Sequence, residues 1–72
     1  MVGNLDVIGR RKLGEKFKKA REKKKLTQAE VAKNADIHVN YYARVERGEE
    51  NPSFEIIQGI MRVLGIKSFD LL

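Results

Sequence analysis

The chain has no cysteine and no tryptophan, a single proline (Pro52), a single histidine (His38) and no long apolar run. Without cysteine, neither a disulfide nor a thiolate zinc site can staple the fold, which fits a reducing cytoplasm. One histidine cannot make a metal site by itself. No stretch approaches the roughly 20 apolar residues of a membrane-spanning helix, and none has the pattern of a signal peptide. There is no Gly-rich phosphate loop and no carboxylate pair placed for acid–base work. The expectation is a soluble, cytoplasmic, non-enzymatic protein with no cofactor, no metal and no small-molecule ligand.

What the chain does have is charge. Its 72 residues carry 15 Lys and Arg against 10 Asp and Glu, a net +5. The surplus is lopsided: residues 1–25 hold ten basic side chains against three acidic, and residues 26–72 hold five against seven. Lys16, Lys18, Lys19, Arg21, Lys23, Lys24 and Lys25 form the main positive field, which would draw in a polyanion with little regard to sequence. The plainer reading is a solvated helix face that keeps a small protein in solution.

Seventy-two residues make one domain near the lower limit for a core that folds unaided. Residues 1–9 read as a loosely ordered arm, and residues 10–72 as the domain. A first helix is expected over about 10–24, with Leu13, Phe17, Ala20 and the Arg21 stem inward. Thr27 and Glu30 make the Thr-x-x-Glu pattern of a capping box, opening a second short helix with Val31, Ala32 and Ala35 on its apolar side. Asn34-Ala35-Asp36 breaks it, since Asp tolerates left-handed backbone. His38 or Asn40 opens a third helix that Gly48 closes. Ser53 caps a fourth, with Phe54, Ile57, Ile60, Met61 and Leu64 as its stripe and Gly65 as its stop. Ser68–Leu72 would add a last helical turn. The expectation is all-α, five helices, with Phe17, Leu26, Val31, Ile37, Val45, Phe54, Ile57, Ile60 and Leu64 in the core.

In the third helix, Tyr42 and Val45 point inward, and Val39, Asn40, Ala43 and Arg44 lie on the other side. Asn and Arg facing outward from a helix on a basic domain suit the reading of DNA bases. Asn pairs bidentately with adenine, Arg pairs with guanine O6 and N7, and Val39 offers only a methyl contact to thymine.

These residues resemble the helix-turn-helix family of phage repressors, Cro proteins and xenobiotic-response-element-type regulators. The matching pieces are Arg21, Leu26-Thr27-Gln28, Val31-Ala32, Ile37, Tyr41, Val45-Glu46-Arg47-Gly48, Pro52-Ser53 and Leu64-Gly65-Ile66, in order and spacing across about residues 13–72. The resemblance implies a compact lambda-repressor-like fold. It places Val39, Asn40 and Arg44 at base-reading positions and Gln28 on backbone phosphate. Tyr41, Arg47, Asn51 and Ser53 are further backbone contacts, with His38 a cap or phosphate contact and Lys19 drawn from the basic first helix. It also implies an ion pair between Arg21 and Glu46. Tyr42 departs from the family, which usually has Ile or Val there, so its hydroxyl must find a partner or the surface.

One such domain reads few base pairs, so a homodimer on an inverted repeat of double-stranded DNA is expected. Ile66, Phe69, Leu71 and Leu72 cluster at the carboxyl end; Ile66, Phe69 and Leu72 are the dimer candidates, unless they close the monomer's own core. The functional expectation is a sequence-specific, autoregulatory transcription regulator of the phage-repressor or restriction–modification-controller kind. The alternatives are an antitoxin-like interaction module and a sequence-indifferent nucleic-acid chaperone.

Overall fold

A computed structural model describes residues 6–67. Four helices make up the described chain: α1 (Val7–Lys23), α2 (Gln28–Asn34), α3 (Val39–Glu46) and α4 (Phe54–Leu64). There is no strand among the described residues, so the fold is all-α. The expected final turn at 68–72, and with it a fifth helix, lies outside the described residues, as do Phe69 and Leu72.

Each helix starts on a side chain that accepts a backbone N–H, satisfying one of the donors a helix start leaves open. Asp6 accepts from Gly9 N at 2.7 Å, and Ser53 Oγ accepts from Ile56 N at 3.2 Å. At α2, the capping box is complete: Glu30 N donates to Thr27 Oγ1 at 3.0 Å and Thr27 N to Glu30 Oε1 at 2.8 Å. His38, not Asn40, caps α3, its Nδ1 accepting from Asn40 N at 3.2 Å. The Asp6 cap starts α1 three residues before the expected position, so Val7–Gly9 belong to the helix and not to an arm.

The four helix ends share one device. Lys25, Asp36, Gly48 and Gly65 adopt φ of 60°, 59°, 76° and 70°. In each case the next N–H reaches back to a carbonyl five residues earlier: Leu26 to Arg21, Ile37 to Ala32, Glu49 to Arg44, Ile66 to Met61. This is the Schellman closure. Each closure turns the chain sharply, and three of the four let an apolar residue (Leu26, Ile37, Ile66) fold back towards the core.

That core consists of Leu13, Phe17, Val31, Ala32, Tyr42, Val45, Ile60, Met61 and Leu64. Burying each large side chain contributes roughly 1.5–3 kcal/mol, which must offset the conformational entropy of the chain. The packing joins α2 to α3, α1 to α3, and α4 to both α1 and α2. Leu26, Ile37 and Ile57, expected in the core, are half-buried against it. Phe54 is a correction: its side chain is 70% exposed. It is the first residue of α4, and its Cα–Cβ bond tilts back past the helix start, beyond its neighbours. Pro52 is the buried residue at that end.

Gly14 sets how closely α1 crosses α3. A Cβ there would lie 2.4 Å from the Glu46 carbonyl oxygen and 2.5 Å from that of Val45. Only a residue without a side chain permits this backbone approach.

Candidate nucleic-acid interface

The orientation of α3 is fixed by a polar network at its carboxyl end. Arg21 on α1 donates from Nε to Glu46 Oε2 at 2.6 Å and from Nη2 to Oε1 at 3.2 Å. Its Nη1 donates to the Leu26 carbonyl at 2.9 Å, tying the α1–α2 turn to the same point. Gln28, the first residue of α2, donates from Nε2 to Glu46 Oε1 at 2.9 Å. One nearly buried carboxylate thus binds α1, α2 and α3 together. Burial would push the Glu46 carboxyl up, but the hydrogen bonds of Arg21 and Gln28, the nearby Tyr42 hydroxyl and the Arg21 charge hold it below the usual range. The Arg21 guanidinium is raised in turn, chiefly by its bond to Glu46.

Tyr42 takes the inner position between these groups and is fully buried. Its hydroxyl meets no partner at regular hydrogen-bond geometry, though it lies in the field of Glu46. Burial first, and the adjacent carboxylate second, push its ionisation far above the ordinary tyrosine value.

The opposite side of α3 faces outward. Val39 is 37% exposed, and His38 and Asn40 are exposed beside it at the helix start. Ala43 and Arg44 continue that side one turn on and are half-buried. Val39, Asn40 and Arg44, the base-reading positions expected from the sequence, therefore lie together on one exposed face. The Nδ1 of His38 is occupied as an acceptor, which leaves Nε2 as the ring nitrogen free to donate. Tyr41 is half-buried, and burial, then Glu50, raises its ionisation, with Arg44 opposing.

The flanking residues are committed in different ways. The Gln28 amide has one of its two N–H groups on Glu46, leaving the other as a further donor. Ser53 accepts at the α4 cap, which leaves its O–H to donate. Arg47 forms a two-toothed pair with Glu49, from Nε at 2.9 Å and Nη2 at 3.1 Å. Asn51 and Lys19 are exposed. Ile66 is half-buried against the core.

Three features of this site have no advance signature in the sequence. Gly14 reads as an ordinary helical glycine, and the Gln28–Glu46 bond joins positions eighteen apart. Glu50 is the third: it accepts from Arg44 Nε at 2.8 Å, across the turn that follows α3.

A helix-turn-helix family profile matches residues 17–72. The chain belongs to this family. Among curated relatives, the immunity repressor of Bacillus phage phi105 is 34% identical over 76% of this chain, which spans 38% of that repressor. The control protein C.BamHI of Bacillus amyloliquefaciens is 34% identical over 100% of this chain and 85% of its own. Among solved structures, the restriction–modification controller protein C.AhdI of Aeromonas hydrophila superposes with a TM-score of 0.84. It is 28% identical, with 90% of this chain and 98% of that one covered. In helix-turn-helix terms, α2 and α3 are the two helices of the motif. The chain is thus similar to the helix-turn-helix domains of a phage immunity repressor and of restriction–modification controller proteins. No helix of the described residues is long and apolar enough to cross a membrane.

Proposed function

We propose that this chain recognises a specific double-stranded DNA operator as a homodimer, with α3 in the major groove. The observation that carries the reading is the outward side of α3, where Asn40 and Arg44 stand together while Arg21, Gln28 and Glu46 lock the helix from behind. In this mode the amino-terminal end of the recognition helix meets base edges. Asn40 would pair with adenine, Arg44 with guanine, and Val39 would pack on a thymine methyl. Backbone contacts would come from the remaining donors of Gln28, His38 and Ser53, from Tyr41, Arg47 and Asn51, and from Lys19 on the basic first helix. Such contacts set register and affinity, and base contacts set sequence.

Dimerisation would use the carboxyl end, with Ile66 joined by Phe69 and Leu72. Two copies would then read half-sites about one helical turn, roughly 34 Å, apart. The likeness to controller and repressor proteins supports a cytoplasmic regulator that acts on its own promoter.

Selection of bound duplexes from random DNA at near-physiological salt tests this reading. An enriched inverted repeat is the expected result. Salt-sensitive binding with no enriched motif would remove the base-reading roles of Asn40 and Arg44.

A further inference from the structure

Arg44 is held in place by a residue outside its helix. Its Nε donates to Glu50 Oε2 at 2.8 Å, and its guanidinium carbon lies 5.9 Å from the centroid of the Tyr41 ring, within cation–π range. Both side chains of the pair remain partly open, at 42% and 32% exposure. Glu50 is itself fixed relative to α3. The chain reverses at Gly48, whose φ is +76°, and Glu49 N is bonded to the Arg44 carbonyl at 2.9 Å.

The geometry of that bond selects what Arg44 can do. A guanidinium offers two flat donor pairs: the side edge of Nε and Nη2, and the end fork of Nη1 and Nη2. A carboxylate on Nε takes the side edge and leaves the end fork, which matches the O6 and N7 acceptors of guanine. Arg47 is held on the same edge, more fully but more exposed. Glu49 takes both of its side-edge donors, in an exposed pair of 56% and 52%. Glu50 also offsets part of the Arg44 charge, which weakens the pull of any nearby phosphate relative to a base edge.

We infer that Glu50 is a specificity-determining positioning residue, which holds Arg44 by its Nε on the Tyr41 ring so that its end fork meets one guanine. This inference rests on the base-reading role of Arg44. A partly exposed ion pair is itself worth little, so the effect lies in orientation and charge and not in fold stability.

The test is a binding series on the selected operator and its single-base variants, with wild type, Glu50→Ala, Glu50→Gln, Arg44→Ala and the Arg44→Ala/Glu50→Ala double variant. Glu50→Ala should lower the preference for the cognate base at one position by about fivefold to tenfold, part of what a bidentate pair supplies. Preferences elsewhere should hold. Glu50→Gln, which keeps a neutral acceptor, should fall between wild type and Glu50→Ala. Both should bind random DNA more tightly, because a negative charge facing the polyanion is gone. In the Arg44→Ala background, loss of Glu50 should no longer change base preference. If Arg44→Ala erases preference at one position and Glu50→Ala does not, Glu50 merely repels phosphate and the inference falls alone. An equal effect of Glu50→Ala with and without Arg44 also overturns it. If Arg44→Ala leaves every preference intact, the base-reading assignment fails and the positioning role with it.

Discussion

The α-carbon of Gly14 sits so close to Glu46 that an added methyl would lie 2.4 Å from the Glu46 carbonyl oxygen. The obstacle is backbone and not the end of a flexible side chain, so neither helix can yield without moving. This contact sets the distance between the first helix and the helix that presents the reading residues.

Gly14→Ala should therefore destabilise the protein. Alanine gains about 1 kcal/mol of helix propensity over glycine. Overpacking against fixed atoms costs about 1–3 kcal/mol and occasionally more, and against backbone it should win by up to about 2 kcal/mol. Urea unfolding of the variant checks the sign. An unchanged or raised midpoint would mean that α1 and α3 separate easily.

Removing either partner of the Arg21–Glu46 pair should cost about 3–5 kcal/mol, because a nearly buried charge is left without its counterpart. Replacing both with apolar residues of similar volume, Arg21→Met with Glu46→Leu, should recover most of that loss, although Gln28 loses its acceptor. Calorimetric or urea unfolding of the three variants gives the comparison. A double variant as unstable as the worse single one would show that the pair itself contributes net stability.

Acid should weaken the fold through Glu46. Its folded carboxyl lies below the usual 4.5, so the unfolded chain binds the proton more readily. Stability is then fully present above the ordinary carboxylate range. It is lost as pH falls from about 5 through the depressed native value. Unfolding free energy followed from neutral pH downward should drop less steeply in Glu46→Gln than in wild type. Parallel pH profiles would assign the acid sensitivity to other groups.

Tyr42 makes a separate prediction. Its hydroxyl is buried without a regular partner, and an unsatisfied buried group costs about 1–3 kcal/mol. Tyr42→Phe should therefore leave stability unchanged or raise it by up to about 1 kcal/mol. A loss of more than about 1 kcal/mol on thermal unfolding would show that the hydroxyl bonds to Glu46 in solution.

The motif was legible in the sequence because its signals are local. Thr27 with Glu30, Asp36 at the break, and Gly48 and Gly65 as stops all act within a turn or two of themselves. The apolar periods of α1 and α3 likewise reported which side faces in. What stayed hidden depends on partners distant in sequence or on chain reversals. Gly14 carries no mark of the carbonyls it meets 31 and 32 residues away. Glu50 comes back to Arg44 only because the chain turns at Gly48. Lys25 takes left-handed backbone, as Asp36 does, but a lysine gives no such hint. Phe54 misled for a related reason: periodicity assigns a side of the helix, but not whether another element lies alongside its first turn.

The central claim is that α3 reads bases while the basic first helix supplies attraction, and paired affinities of Arg44→Ala and Lys19→Ala test it most directly. Each variant is titrated against the selected operator and random duplex over a salt series. Arg44→Ala should lose about 1–3 kcal/mol on the operator, little on random DNA, and relax one base position. Lys19→Ala should weaken both DNAs alike and lower the salt slope by about one. Equal losses on operator and random DNA for Arg44→Ala would contradict the account.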